Sequence, residues 1–193
     1  MEIVTVRPAR KEDADAVARL FMMAWPMDSF LAMSPELDED KFAEIISGYV
    51  QAEDTLYSYR NTMVAEVGNM IAGAMNGYDG ADYDALKRPI LEDFARRFPD
   101  SESDFGAVRE TGAGEFYFDS IGVRPDMRSM GIGSKLFGAM TERARQAGFS
   151  KVGLIVDVEK PKAEALYLRL GFRFAGYKDF FGEKMKHLQM DIG

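Results

Sequence analysis

"EFYFDSIGVRPDMRSMGIGSKLFGAM", residues 115–140, decides the fold. Its first nine residues alternate like a strand, but bulky apolar side chains begin at even positions, Phe116 and Phe118, and end at odd ones, Ile121 and Val123. A period-two strand changes phase only by taking in an extra residue, so the stretch predicts a β-bulge near Asp119–Gly122, with backbone groups left unpaired. Beyond the strand, a glycine turn leads straight into a helix. Leu136, Phe137, Met140, Ala144 and Ala147 share one face of it, and Gly148 stands at its C-terminal cap. Gly131 and Gly133 therefore open a helix whose free N–H groups and dipole can hold a pyrophosphate. The same two glycines also suit a plain tight turn, and the rest of the chain must decide.

Two phosphate-binding motifs fit poorly. A dinucleotide-binding G-x-G-x-x-G has Leu136 at its third glycine position, and about eight residues separate Val123 from Gly131. Only Asp157, at the end of the following strand, keeps that reading alive. A P-loop needs an adjacent Gly-Lys-Ser/Thr and a glycine five residues earlier, and Gly133-Ser134-Lys135 supplies neither.

Composition narrows the chemistry. The 193 residues are 47% hydrophobic, enough for one domain with a proper core. Cysteine is absent, which removes disulfides, zinc clusters and thiol nucleophiles. The single histidine, His187, sits in the alternating stretch "EKMKHLQMDI" and reads as an ordinary strand residue, and no G-x-S-x-G motif accompanies it. With neither a basic, apolar leader nor a membrane-length apolar run, the chain is expected to be soluble and cytoplasmic. A net charge of −8 argues against nucleic acid as a partner. That charge is uneven: residues 1–114 carry −11 and residues 115–193 carry +3, so an anion would prefer the second part and a cation the first.

Periodicity organises the remainder. "EIVTVRP" is a first strand ended by Pro8, residues 11–25 a helix stopped by Pro26, residues 36–52 a second helix, and "NTMVAEVGNMIAGAMNGY" a hairpin turning at Gly68-Asn69. Residues 79–114 break the rhythm and read as an insertion on the acceptor side, with a helix that has Pro89 in its first turn and apolar residues at 90, 94 and 98. After the quoted stretch come a strand (151–158), a helix (161–170) and two strands (172–180 and 184–191), making a mixed α/β domain.

The order strand, R-x-x-G-x-G turn (Arg128, Gly131, Gly133) and helix resembles the acetyl-coenzyme A pyrophosphate motif of the GCN5-related N-acetyltransferase (GNAT) superfamily. "PKAEALYLRLGF" resembles the family's following A-x-x-x-Y-x-x-x-G-F element, through Ala163, Tyr167, Gly171 and Phe172. The resemblance implies an α/β fold with a mixed, mostly antiparallel sheet of six to seven strands, flanked by helices and splayed between its two central parallel strands. It implies the pyrophosphate of acetyl-coenzyme A on the turn Arg128, Ser129, Met130, Gly131, Ile132, Gly133 and Ser134, and the pantetheine arm along Ile121, Gly122 and Val123. The resemblance also implies cofactor contacts from Lys160, Ala163 and Tyr167 of the later helix; the family often has Asn at the first of these, touching the pantetheine, where Lys160 of this chain can instead reach the cofactor's anionic end.

The implied activity is acetyl transfer to a primary amine without a metal. Tyr167 is the expected general acid beside the sulfur. Asp119, sharing a strand face with Tyr117 and Glu115, is the expected base, although a solvated carboxylate or a ligand for the acceptor's ammonium fits it too. The N–H of Ile121 or Gly122 is the expected oxyanion donor. The acceptor is a small molecule or a peptide amine. The acidic insertion favours a cation, while Trp25, Phe30, Tyr78 and Tyr83 favour a more apolar amine. A monomer or homodimer fits the family, and the competing function is a module that binds acyl-coenzyme A without turnover.

Overall fold

The computed structural model describes residues 3–101, 108–180 and 183–193. Among the described residues, seven strands form one sheet: β1 (Val4–Pro8), β2 (Thr62–Val67), β3 (Met70–Asp79), β4 (Phe116–Val123), β5 (Lys151–Asp157), β6 (Arg173–Phe180) and β7 (Glu183–Asp191). Their spatial order is β1-β2-β3-β4-β5-β7-β6. Every neighbouring pair is antiparallel except β4 and β5. That central parallel pair is joined only at Phe116–Val152 and Tyr117–Gly153, and beyond Tyr117 the two strands part.

The phase change in β4 has the cause its sequence suggests. Met75 of β3 faces Ile121 and Gly77 faces Phe118, so one residue, Asn76, stands opposite two, Asp119 and Ser120. The buried Asn76 side chain replaces the missing ladder bonds: its carbonyl accepts the Ser120 N–H at 2.8 Å, and its amide donates to the Leu56 carbonyl at 3.0 Å. Phe116, Phe118, Ile121 and Val123 consequently all pack in one core cluster, while Tyr117 joins the other.

Helices cover both faces. On one lie α1 (Ala14–Met22), the short α2 (Met27–Leu31), α3 (Glu39–Gln51) and α4 (Tyr83–Arg97), where Phe21, Phe42, Ile46 and Phe94 pack with Tyr78 and Tyr117. On the other, α5 (Ile132–Gln146) buries Ile132, Leu136, Phe137 and Met140 against Phe116, Phe118 and Val152. Each such side chain removed from water contributes roughly 1.5–3 kcal/mol. The last helix, α6 (Pro161–Arg169), adds Ala163 and Tyr167 to this second cluster. Among the described residues, no helix is long and apolar enough to cross a membrane.

Helix boundaries depart from the periodic reading in three places. The helix expected over 11–25 starts with a 3-10 turn at Lys11–Asp13 and ends at Met22, leaving Trp25 on the connection to α2, a helix too short to show a period. The second helix begins at Glu39, where the Asp38 side chain accepts the Lys41 N–H at 2.8 Å. Pro89 lies inside α4 rather than in its first turn. Asp79 caps a 3-10 turn, its carboxylate accepting the Ala81 N–H, and that turn runs into α4 at the buried Tyr83, well before the proline. Proline removes one helix hydrogen bond, and in the same turn the Leu86 carbonyl accepts the Leu56 N–H from a neighbouring loop. Residues 102–107 of the expected insertion lie outside the described residues.

Candidate active site

The site is built around the edge of β4 that β5 leaves open. Arg124 donates its N–H to the Ala72 carbonyl of β3, and the pairing places Gly122 opposite Ala74. Antiparallel strands alternate their hydrogen-bonding direction, so Gly122 turns its polar groups to β3, while Ile121 and Val123 turn theirs to the open edge. Gly122 has a different part: a Cβ there would collide with the Leu20 carbonyl of α1, so only glycine lets the helix and the strand touch.

At the far end of that edge lies the glycine turn. A 3-10 turn at Pro125–Met127 leads through Arg128 to Ser129 and Gly131, which have φ of 68° and 75°. Gly131 is the N-cap of α5; no side chain caps this end and no acidic residue lies in its first turn. The helix ladder starts with the Lys135 N–H donating to the Gly131 carbonyl at 3.1 Å, which leaves the preceding N–H groups available to an anion. Gly131 is explained by its left-handed backbone. Gly133 is not: a Cβ there would meet no atom of the chain within 4 Å. Ile132 is buried and anchors the turn, whereas Arg128, Ser129, Met130 and Ser134 are exposed.

Tyr167 stands on the same side of the sheet. Its ring packs on Phe137 at 5.7 Å and Phe172 at 6.2 Å, and its hydroxyl has no hydrogen-bond partner among the described residues. Burial raises this phenol above its ordinary value, so it stays protonated. Ala163 packs in the same cluster one turn earlier, and Lys160 is the exposed N-cap of α6, its carbonyl accepting the N–H groups of Ala163 and Glu164.

Asp119 points to the opposite face. Its carboxylate accepts the Tyr78 hydroxyl at 2.6 Å and the Ser120 hydroxyl at 2.9 Å, and the Ser120 oxygen accepts the Trp25 indole N–H at 3.0 Å. Burial outweighs these bonds and pushes the Asp119 carboxyl up. A second carboxylate, Glu110, accepts the hydroxyls of Tyr117 at 2.7 Å and Tyr83 at 3.2 Å. Burial, reinforced by the charge of Asp119, pushes Glu110 up to about 7. Glu110 also borders a pocket of about 60 Å³ whose walls include Trp25, Phe30, Phe42, Tyr57 and Phe94. Sequence reasoning missed Glu110 because it lies in an aperiodic segment. The acidic excess over 79–114 was the available signal, and it does not single out one residue.

Glu115, on the same strand face as Asp119, is committed elsewhere. It accepts the Thr111 hydroxyl at 2.7 Å, the Gln189 amide at 2.7 Å and the His187 Nε2 at 2.9 Å. Burial alone would raise its carboxyl, but these bonds prevail and hold it below the usual range. Gly153 makes the arrangement possible, since a Cβ at that position would collide with the Glu115 carboxylate. His187 is therefore the partner of a buried glutamate rather than an uninvolved strand residue. Among the described residues, no group of three or more His, Asp or Glu is placed to hold a metal ion.

The fold recurs in known proteins. The family model for the acetyltransferase (GNAT) family matches residues 19–172. A solved acetyltransferase is 30% identical, with 98% of this chain and 100% of that one covered, at a TM-score of 0.82. An N-acetyltransferase from Staphylococcus aureus Mu50 shares the fold at 24% identity and a TM-score of 0.82, with 96% and 100% covered. The yncA protein from Salmonella typhimurium, solved with its cofactor acetyl-CoA, is similar in fold at 16% identity and a TM-score of 0.59, with 98% and 94% covered. No curated protein matches.

Proposed function

The chain belongs to the acetyltransferase (GNAT) family, and from that premise we propose that it transfers an acetyl group from acetyl-coenzyme A directly to a primary amine. The observation that carries this reading is the open edge of β4. The glycine turn and Tyr167 flank it on one face of the sheet, and the Asp119–Glu110 pair flanks it on the other.

Acetyl-coenzyme A supplies, when bound, an acyl group activated as a thioester. The chain has the features to hold it. The free N–H groups from Met130 to Ser134, with Arg128 and Ser129 beside them, suit a pyrophosphate, and the vacant space over Gly133 lets it approach the backbone. Ile121 and Val123 offer the unpaired strand edge that an extended pantetheine arm needs, and Ala163 of α6, one turn after the N-cap Lys160, packs in the same cluster as both.

The acceptor's ammonium must lose a proton before its nitrogen can attack. Asp119, at the bulge beside the open edge, and Glu110, at the wall of the aromatic pocket, are the two buried carboxylates with raised proton affinity that are placed to take that proton. The Ile121 N–H, turned to the edge, donates to the carbonyl oxygen as charge gathers there. As the new C–N bond forms and the C–S bond breaks, Tyr167 gives its proton to the departing sulfur.

Direct transfer requires both substrates to be bound together. Initial rates of thiol release, measured with both concentrations varied, are expected to give intersecting reciprocal plots. A stoichiometric thiol burst without amine would overturn direct attack. Lys160, which departs from the family's common Asn, favours a second reading as a binding module; stabilisation by acetyl-coenzyme A with no thiol release for any amine would establish it.

A further inference from the structure

The acceptor pocket is polar at one end and apolar along its walls. Glu110 stands at the polar end, and both Glu110 and Asp119 act on the Tyr57 hydroxyl there. The Trp25–Ser120–Asp119 hydrogen-bond chain ties the pocket wall to the bulge of β4. Away from that end the lining is aromatic and aliphatic. Phe30, Phe42, Phe94 and Trp25 contact one another with ring centroids 5.2–6.4 Å apart. The other charged lining residue is cationic: Lys87, whose ammonium donates to the Val108 carbonyl at 2.5 Å.

Resting on the acetyl-transfer reading, we propose that the acceptor is a primary monoamine with a short aliphatic body. Its ammonium lies against Glu110 and Asp119, and its chain lies among Trp25, Phe30, Phe42 and Phe94. Three properties of the pocket select this class. Its volume of about 60 Å³ is well below the ~150 Å³ of an apolar cavity that takes up benzene, which excludes a bulky acceptor such as an aminoglycoside. A second ammonium, as in a polyamine or an aminoglycoside, would be desolvated among the rings, beyond Glu110, which among the described lining residues supplies the one carboxylate. An α-amino acid would bring its own carboxylate against the two already present.

The chain's single tryptophan, Trp25, lines the pocket, so its fluorescence reports occupancy whether or not acetyl transfer follows. The direct comparison is n-pentylamine against 1,4-diaminobutane, which have equal numbers of heavy atoms and differ in one terminal group. Pentylamine should shift the Trp25 emission with a Kd at least about tenfold lower than the diamine, because the second ammonium must give up its water with no second carboxylate among the described lining residues. Glu110→Gln, which keeps the side-chain shape, should weaken pentylamine by about tenfold while its melting temperature and acetyl-coenzyme A affinity confirm an intact fold. Equal or tighter binding of the diamine would overturn the proposal, as would an unchanged pentylamine affinity in Glu110→Gln. The amine comparison itself needs no variant. Failure of the underlying reading looks different: pentylamine would bind with this selectivity, yet no amine would release thiol from acetyl-coenzyme A.

Discussion

Replacing Gly133 with alanine should make the protein more stable and a poorer binder of acetyl-coenzyme A. A Cβ at this position meets no atom of the chain within 4 Å, and the residue sits in the first turn of α5 with a helical backbone. Glycine in a helix costs roughly 0.5–1 kcal/mol relative to alanine, so Gly133→Ala should recover up to that amount. For a chain of this length, 1 kcal/mol moves the melting temperature by about 2–4 °C, so a rise of about 1–4 °C is expected. The added methyl group would occupy the space through which a phosphate reaches the N–H groups. Losing one charge-assisted hydrogen bond, worth about 1.5–3 kcal/mol, weakens binding about 10- to 150-fold. Differential scanning calorimetry and titration calorimetry with acetyl-coenzyme A read the two effects separately. A higher melting temperature with unchanged affinity would refute the phosphate cradle; a lower one would refute the account of why glycine stands there.

The remaining predictions concern the two faces of the site. Tyr167→Phe removes the proton donor while preserving the ring contacts with Phe137 and Phe172, so kcat should fall about 10- to 100-fold at constant acetyl-coenzyme A affinity. An unchanged kcat would remove Tyr167 from the chemistry. Because Glu110 must be ionised to hold the acceptor's proton, kcat/KM should rise with pH through a limb near 7, and Glu110→Gln should abolish that limb. The same group binds an extra proton in the folded chain between its ordinary value of 4.5 and about 7. Its contribution to stability is therefore full below about pH 4.5 and is lost as pH rises through 7, so Glu110→Gln should gain more in melting temperature over the wild type at pH 8 than at pH 5. Gly153→Ala forces the Glu115 carboxylate from its bonds to Thr111, His187 and Gln189 and should cost about 2 kcal/mol or more, read as a melting temperature lower by about 4 °C or more.

Much of the architecture was legible because it rests on local rules. The phase change from Phe118 to Ile121 exposed the bulge, since alternation fixes which face each side chain meets, and Asn76 opposite Asp119 and Ser120 is its physical counterpart. The Gly131 turn and α5 were legible for a similar reason: a left-handed residue before an amphipathic run marks a helix start. Contacts between distant segments were not. Pro89 suggested a helix start, but the buried Tyr83 and the Asp79 cap begin α4 earlier, and nothing near the proline announces either. Glu110 becomes a site residue only when Tyr83 and Tyr117 converge on it. The pairing of His187 with Glu115 likewise depends on β7 lying beside β5, with Gly153 leaving room for the carboxylate.

The most direct measurement combines thiol release from acetyl-coenzyme A with the mass of the amine product, for a panel running from short aliphatic monoamines to diamines, aminoglycosides and amino acids. The account expects thiol release only when an amine is present, matched mole for mole by an amine one acetyl group heavier, with the aliphatic monoamines fastest. Thiol release without an acetylated amine, or none with any member of the panel while acetyl-coenzyme A still binds, would contradict it.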